Sequence, residues 1–272
     1  MPPALLAALG AERATPVAGG CIHRCYRVLI GGVPHFAKVN DARLADAFAA
    51  EADGLEALRA PGIRAPQPLR HGVAGGHAFL LLEFLELEDQ GDFAALGCML
   101  AVAHRSAGPA FGWRRDNYIG STPQANAWCE EWSTFFRERR LAPQLALARK
   151  NGFRLELGRA EEVLNDHHPQ PALLHGDLWS GNVAFLTDGE PVLFDPAVYY
   201  GDREADLAMT ELFGGFPAAF YAAYNAVDPL ERGYEKRKHL YNLYHLLNHL
   251  NLFGGGYLAQ VRSTLRLLLD AL

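Results

Sequence analysis

Cysteine is scarce in this chain of 272 residues, and an excess of basic charge is absent. The four cysteines, at positions 21, 25, 98 and 129, are too few and too scattered for a disulfide framework, which indicates a reducing compartment. The net charge is −6 and the isoelectric point is near 6.0. Binding to nucleic acid is therefore not expected, because a phosphate backbone requires clustered lysine and arginine.

Long apolar runs are also lacking. No stretch reaches the roughly 18–20 residues that a membrane-spanning helix needs. Residues 1–5 contain no basic side chain of the kind that begins a signal peptide. We therefore expect a cytoplasmic protein with no membrane partner. The hydrophobic content of 50% is enough for a large core, in one domain or in two closely joined lobes.

A polar loop stands out within residues 173–182, directly after a short apolar run. It contains Asp177 and, five positions later, Asn182, while a second carboxylate, Asp195, ends the next apolar run. Phosphoryl transfer to a hydroxyl needs a carboxylate that accepts the hydroxyl proton and oxygen ligands that hold Mg²⁺ against the phosphates of ATP. We predict Asp177 as the base, and Asn182 and Asp195 as the magnesium ligands. His175 is interpreted as a structural residue of the loop.

Residues suited to nucleotide binding precede this loop in the chain. Gly19 and Gly20 stand before a strand, and glycine lets backbone N–H groups approach phosphate oxygens. Lys38 lies inside an apolar strand, from which it would pair with the α- and β-phosphates. Glu51, on the helix that follows, would hold Lys38 in place.

Each of these assignments has a plainer alternative. Gly-Gly pairs occur in ordinary turns, Lys38 could be a solvated edge-strand lysine, and Glu51 could be a surface glutamate. Asp53 and Glu56 fit the helical periodicity as partners of Lys38 as well. A His-Gly-Asp triplet can also be a simple turn. That alternative does not account for the strand before the triplet or for the amide and the second carboxylate after it.

The chain changes character near residue 85. Before it, short strands alternate with glycine turns around one long helix, expected between Asp41 and Arg59. After it, helices are expected over about 96–105, 122–149, 155–167 and 202–272. We therefore expect an α+β, bilobal, protein-kinase-like fold. Its β-rich nucleotide-binding lobe would span residues 1–85, and its larger helical catalytic and substrate-binding lobe residues 86–272.

Several segments carry a resemblance to a known family: His175–Asn182, Asp195–Glu204, Phe111–Trp113 with Asp116–Gly120, and Leu246–Gly254. On these segments the chain resembles the fructosamine kinase family, which is similar in fold to aminoglycoside and choline kinases. The resemblance covers nearly the whole chain. Trp179 and the segment 117–120 distinguish the chain from generic small-molecule kinases.

The resemblance implies ATP-dependent phosphorylation of the 3-hydroxyl of a ketoamine, a fructosamine or a ribulosamine. The phosphate then promotes release of the amine, so the activity is one of deglycation, on free or protein-bound ketoamines. Under the same resemblance, the hinge whose backbone meets adenine is formed by Glu83, Phe84 and Leu85. The implied substrate residues are Trp179, Asp116, Asn117 and Tyr118.

Two other functions stay open at this point. One is a kinase for a different hydroxyl acceptor, of the aminoglycoside or choline type. The other is a non-catalytic, nucleotide-binding pseudokinase. A pseudokinase is less consistent with the presence of Lys38, Asp177, Asn182 and Asp195, because each would stabilise charge that develops in the transition state of phosphoryl transfer. We expect a monomer or a weak homodimer.

Four further residues have open interpretations. Cys21 lies in the glycine segment, where it is either a redox-sensitive thiol that controls ATP binding or a small packing residue. His245 and His249, four apart on one helix, are interpreted as packed helix histidines, since no third zinc ligand is evident. Asp206 is expected either to hydrogen-bond the catalytic loop or to favour a helix N-terminus.

Overall fold

Two separate stretches of the chain, Met1–Asp92 and Val183–Pro196, fold together and are called unit 1 here. The stretches Phe93–Asn182 and Ala197–Leu272 form unit 2. The computed structural model describes residues 1–17 and 23–270. The predicted nucleotide-loop residues Gly19, Gly20 and Cys21 fall outside the described residues.

The N-terminal part of unit 1 contains α1 (Pro3–Leu9), β1 (Arg13–Val17), β2 (Arg24–Ile30), β3 (Val33–Asp41), α2 (Ala45–Arg59), β4 (Pro68–Ala74) and β5 (His77–Glu83). Its strands form a five-stranded antiparallel sheet with the order β1-β2-β3-β5-β4. Gly31 and Gly32 form the β2-β3 turn with φ angles of 57° and 77°, which glycine adopts without steric cost.

The two faces of this sheet are covered differently. One face packs a cluster that includes Leu5 of α1, Val28, Val39 and Leu81. Side chains alternate between the faces of a strand, so Lys38 projects from the opposite face to Val39. Helix α2 packs against β4 and β5 with its apolar side chains Phe48, Leu55 and Leu58 fully buried. Lys38 is paired with Cys25 on one side and Leu80 on the other, which makes β3 a central strand.

A second hairpin completes unit 1 and positions Asp195. It consists of β9 (Val183–Phe185) and β10 (Pro191–Leu193), paired antiparallel. Phe185 exchanges two backbone hydrogen bonds with Glu88, of 2.8 and 2.9 Å, and the N–H of Leu193 donates to the carbonyl of Arg64 at 2.9 Å. These bonds attach both strands to the N-terminal part of the unit, so the residue two positions after β10 has a fixed place.

Unit 2 is mainly helical. Its helices are α3 (Phe93–His104), α4 (Trp132–Phe136), α5 (Ala142–Lys150), α6 (Glu204–Leu212), α7 (Ala218–Val227), α8 (Tyr234–Phe253) and α9 (Leu258–Asp270). Its strands form two pairs, β6 (Asn117–Ile119) with β7 (Thr122–Gln124), and β8 (Ala172–Leu174) with β11 (Tyr199–Gly201). The 20-residue α8 packs against α5, α6 and α9. Among the described helices, none combines the length and apolarity of a membrane span.

Two helix predictions were wrong in extent. Helix was expected from residue 122, but α4 begins at Trp132, after the β6–β7 hairpin. Pro123 lies in β7 and has no N–H to donate within a helix. The helix expected over 155–167 is only a 3-10 turn, Ala160–Leu164. Gly158 just before it has a φ of 58°, a left-handed conformation that interrupts a helix.

Candidate active site

Lys38 is held between two carboxylates in unit 1. Its Nζ atom lies 2.7 Å from Oε1 of Glu51 and also forms an ion pair with Oδ1 of Asp195, a residue 157 positions away. Lys38 is 5% exposed. The side chain of Glu51 is 12% exposed and that of Asp195 is 47% exposed. The buried pair is thus Lys38 with Glu51, while Asp195 is open to a ligand.

Burial and the neighbouring charges shift the pKa values of Lys38 and Glu51. Burial alone would lower the pKa of Lys38, but the carboxylates of Asp195 and Glu51 outweigh it and raise that pKa above its usual value. Burial raises the pKa of Glu51 to about 6, with Lys38 opposing the shift and Asp195 adding to it. Lys38 is therefore a permanent cation, and Glu51 is ionised beside it at neutral pH.

Asp195 has a backbone conformation unusual for its residue type. Its φ is 57°, and within the described residues no other non-glycine residue has a positive φ. Aspartate tolerates the left-handed region better than most side chains, yet the conformation still carries a cost. Such positions cluster at functional sites, where the surrounding structure holds them. The strand β10 and the ion pair with Lys38 supply that support here.

The predicted hinge begins at the last residue of β5. The carboxylate of Glu83 accepts two hydrogen bonds from the Arg64 guanidinium, at 2.7 and 2.9 Å, and a third from the N–H of Gln67 at 3.1 Å. The hydrogen bonds from Arg64 hold the pKa of Glu83 below its usual value. The Arg27 guanidinium lies 4.9 Å from the ring centre of Phe84. Both side chains are therefore engaged within unit 1. Sequence reasoning missed Arg64 and Arg27, because nothing in the pattern marks them as partners of the hinge.

His23 borders the predicted nucleotide loop. The Nδ2 of Asn40 donates to its Nδ1 at 3.0 Å, and its ring centre lies 4.8 Å from that of Phe48. Burial and then the charge of Lys38 lower the pKa of His23 to about 4, so the imidazole is neutral. Cys25 is buried in β2, and burial raises the pKa of its thiol.

The predicted catalytic loop lies in unit 2, after β8. The Nδ2 group of Asn182 donates to the backbone carbonyl of Asp177 at 2.8 Å and lies 3.3 Å from its Oδ2. Asn182 is buried at the end of a short 3-10 turn, whereas the Asp177 side chain is 20% exposed. Because the NH₂ group of Asn182 faces Asp177, its Oδ1 is the atom left for a metal.

Asp206, the third residue of α6, braces this loop. Its Oδ2 accepts the N–H of His175 at 2.7 Å and its Oδ1 accepts the N–H of Gly176 at 2.9 Å. His104 Nε2 lies 3.3 Å from Oδ2. Burial acts to raise the pKa of Asp206, but the hydrogen bond and charge of His104 dominate and lower it. Of the two alternatives for Asp206, the structure shows the hydrogen bond to the loop.

The backbone of the loop is fixed at His175 and Gly176. The carbonyl of His175 accepts the N–H of Ala197 at 2.8 Å, and its Nδ1 accepts the N–H of Asp177 at 3.3 Å. Gly176 has a φ of 82°, and a Cβ there would lie 2.2 Å from the Ala197 carbonyl oxygen. A side chain at this position would push the loop away from the segment that follows Asp195. His175 thus has the structural role expected from the sequence.

Trp179 stands beside an aromatic group on unit 2. Its ring centre lies 6.2 Å from that of Phe213 in an edge-to-face arrangement, and Phe213 lies 4.7 Å from His249. A Cβ at Gly181 would lie 2.3 Å from the six-membered ring of Trp179, so the glycine is needed for the ring to sit there. The Trp179 side chain is half-buried and offers an apolar surface beside Asp177 in the chain.

Asn117 is buried and bonded within the protein. Its Nδ2 donates to the carbonyl of Val198 at 2.7 Å, and its Oδ1 accepts from Gln124 and Asn126 at 2.8 and 2.9 Å. Asp116 Oδ1 accepts the N–H of Asn126 at 2.8 Å. Asn117, predicted as a substrate residue, thus ties the β6–β7 hairpin to the segment after Asp195.

Arg140 completes this buried polar network. It is fully buried and donates to Asn126 Oδ1 and to the Ala125 carbonyl, both at 2.7 Å. Its guanidinium carbon lies 3.9 Å from the ring centre of Tyr199, a cation–π contact. A π-helical turn, Arg137–Leu141, delivers the side chain into the core. Arg140 was not predicted from the sequence, because a single buried arginine gives no periodic pattern that marks it.

A buried strand lysine, paired with a helix glutamate and a strand-end aspartate, accompanies a loop with the Asp-x₄-Asn spacing on the second unit. Together they define a phosphotransferase of the kinase-like fold. A crystal structure of an aminoglycoside phosphotransferase superposes with a TM-score of 0.63 at 14% identity, over 98% of this chain and 95% of that one. At this identity the likeness shows the fold.

The fructosamine kinase family model matches residues 4–271, and the chain belongs to this family. A Synechocystis protein named as a probable ketoamine kinase is 51% identical over 92% of this chain and 88% of its own length. The chloroplastic protein-ribulosamine 3-kinase of Arabidopsis thaliana is 41% identical over 91% of this chain and 79% of its own. A crystal structure named as a fructosamine-3-kinase, from Haemophilus somnus, has a TM-score of 0.89 at 31% identity, covering 95% of this chain and 92% of that chain. The predicted family and kinase-like α+β fold are confirmed.

Proposed function

We propose that this protein uses ATP to phosphorylate the 3-hydroxyl of a ketoamine, a fructosamine or a ribulosamine, and so promotes release of the amine. Family membership supports this, as do relatives named as ketoamine kinase and protein-ribulosamine 3-kinase. The observation that carries the proposal is the placement of Asp177. It stands on a loop braced by Asp206, with Asn182 bonded to its backbone and its carboxylate partly exposed.

The nucleotide would be held by unit 1. Lys38 is a buried cation whose position is set by Glu51, so it can meet phosphate oxygens without first ordering a flexible side chain. The backbone of Glu83, Phe84 and Leu85 would meet adenine, while the side chains of Glu83 and Phe84 already contact Arg64 and Arg27. Gly19 and Gly20 would contribute backbone N–H groups to the phosphates.

The donor set also fits Mg²⁺. Carboxylate and amide oxygens are the ligands this ion prefers, and the chain offers the Asp195 carboxylate and the Oδ1 of Asn182. The carboxylate of Asp195 is 47% exposed and so accessible to a ligand. We assign these two residues as the magnesium ligands. A bound Mg²⁺ would neutralise charge that develops on the phosphates during transfer.

Asp177 would accept the proton of the acceptor hydroxyl. The bonds from Asp206 to the two preceding N–H groups fix the loop, so the carboxylate is held in place before the substrate arrives. Trp179, two residues later, would form an apolar wall for the sugar, with Asp116 and Tyr118 as further candidates for substrate contact. For Asn117 we propose an indirect role, through the loop that it fixes.

The test compares wild type with Asp177→Ala on a panel of ketoamines, including fructosyl-lysine and ribulosyl-lysine. Formation of ADP and of the phosphorylated product is followed, the latter by mass spectrometry. Asp166→Ala, at an exposed aspartate of the same unit, is the matched control. We expect wild type and the control to turn over a ketoamine, and Asp177→Ala to lose at least about 10²-fold in rate. Absence of ketoamine turnover by wild type, or turnover of an aminoglycoside or choline instead, would contradict the proposal.

A further inference from the structure

One buried nitrogen close to Asp177 has no hydrogen-bond partner among the residues that the structure describes. Nδ1 of His245, on α8, lies 4.0 Å from Oδ1 of Asp177, and the His245 side chain is 6% exposed. This Nδ1 atom is buried and makes no hydrogen bond to any described residue. A buried polar atom without a hydrogen bond destabilises the folded protein. An unpaired Nδ1 atom beside the predicted base therefore points to a ligand group that forms a hydrogen bond with it.

The surroundings of His245 determine which proton it carries. A lone pair on Nδ1 would face the carboxylate oxygen of Asp177 and be repelled, which favours the tautomer that carries its hydrogen on Nδ1. Burial lowers the pKa of His245 to about 3, with His249 and Arg140 acting in the same direction and Asp206 opposing them. His245 is thus a neutral N–H donor that leaves the charge of Asp177 intact.

The separation of the two atoms suits a third atom between them. A distance of 4.0 Å is too long for a direct N–H···O hydrogen bond. One oxygen can lie about 2.8 Å from both Nδ1 and Oδ1, accepting from the first and donating to the second. A hydroxyl group has both capacities, whereas a carbonyl oxygen cannot donate and an ammonium group cannot accept.

We propose that the Nδ1–H of His245 binds the oxygen of the acceptor hydroxyl and turns its proton toward Asp177. The inference rests on the proposed role of Asp177. In the transfer, the hydroxyl proton moves to Asp177 and the oxygen forms its bond to the γ-phosphorus. The bond from that phosphorus to the bridging oxygen of ADP breaks, and its electron pair leaves with ADP. His245 keeps its proton throughout and acts by positioning the nucleophile.

Two isosteric substitutions test this. Asparagine places its amide N–H near the position of Nδ1, and glutamine places its own near that of Nε2. We expect His245→Asn to stay within about threefold of wild type in kcat/KM for the ketoamine. His245→Gln should lose about 10- to 100-fold, the loss of one hydrogen bond to the reacting group. KM for ATP should not change in either. His239→Asn and His239→Gln, at a half-buried histidine of the same helix, are the matched controls.

The outcomes separate this inference from the proposed function. If Asp177→Ala is inactive while His245→Asn and His245→Gln both match wild type in kcat/KM, only the role of His245 is overturned. Equal losses in both His245 variants, with lowered melting temperatures, also overturn it, because they indicate a packing role. An active Asp177→Ala overturns both assignments.

A measurement on the wild-type protein covers the case in which the variants do not fold. Nitrogen-15 NMR of labelled histidine reports which ring nitrogen carries the hydrogen. We expect His245 to be neutral near pH 7 with its hydrogen on Nδ1, and its Nδ1 signal to shift when a ketoamine is added. A hydrogen on Nε2, or no shift at saturating ketoamine, overturns the inference.

Discussion

Nζ of Lys38 lies 2.7 Å from Oε1 of Glu51, and both side chains are largely buried. The helical pattern allowed Asp53 and Glu56 as partners too, and the structure selects Glu51. Glu51→Gln keeps a hydrogen-bond acceptor and removes the charge, so Lys38 should be held less firmly against Asp195. We expect kcat/KM for ATP to fall by about 10- to 100-fold, measured by steady-state kinetics with ATP varied.

The matched control is Glu56→Gln, at an exposed glutamate of the same helix. It should leave kcat/KM for ATP unchanged, because its side chain lies in solvent. Comparable losses in the two variants would show that helix charge in general, and not the pair with Lys38, supports activity.

Lys38, Glu51 and Asp195 were each predicted as site residues from local signals, but the ion pair between Lys38 and Asp195, 157 positions apart, was not. Period-two alternation placed Lys38 on one face of its strand, and a carboxylate after an apolar run marked Asp195. The role of Asn117 could not be predicted in the same way. Its bond to Val198 joins residues 81 positions apart, and local periodicity contains no information about such pairs. The helix predicted from residue 122 was wrong for a related reason. The strand β7 that lies there pairs with β6, and strands this short give no clear periodic pattern.

Asp206 provides a pH-dependent test of the loop brace. Asp206→Asn keeps one acceptor oxygen but presents an NH₂ group to a backbone N–H donor, so we expect roughly 2–4 kcal/mol less free energy of unfolding near neutral pH. Because the folded-state pKa of Asp206 is below its usual 3.8, its stabilisation is present above pH 3.8 and is lost as the pH falls through the folded value. The gap between wild type and variant should therefore narrow below pH 3.8.

Urea unfolding at several pH values measures this gap, with Asp166→Asn, at an exposed position, as the control. The control should follow wild type at every pH. A gap for Asp206→Asn that is constant from neutral pH to well below pH 3.8 would mean that the carboxylate's charge does not stabilise the loop.

Substitution of Gly181 can displace the side chain of Trp179 while the tryptophan itself is kept. A Cβ at residue 181 would lie 2.3 Å from the ring, so Gly181→Ala should displace the indole. If Trp179 forms the wall of the sugar site, KM for the ketoamine should rise by about 3- to 10-fold, the worth of one aromatic contact. KM for ATP should stay constant. Gly256→Ala, where a Cβ would meet no atom within 4 Å, is the control. Unchanged KM for the ketoamine in Gly181→Ala would remove Trp179 from the substrate site.

Substitution of Asn117 tests whether this residue has a structural role or contacts the substrate. Asn117→Ala would remove the donor to the Val198 carbonyl and one of the two acceptors of each side-chain amide of Gln124 and Asn126, in a site that is 4% exposed. We expect a loss of about 2–4 kcal/mol in the free energy of unfolding, measured by urea denaturation. Asn165→Ala, at an exposed asparagine, should show almost no change.

The kinetics of the same variant decide between the two roles. If Asn117 acts through the segment that follows Asp195, a folded sample of Asn117→Ala should lose kcat with little change in KM for the ketoamine, because the reacting groups are displaced while the sugar surface remains. A raised KM with unchanged stability would instead place Asn117 in contact with the substrate. The three hydrogen bonds made by the Asn117 side chain favour the first result, since a ligand would have to compete with partners already 2.7–2.9 Å away.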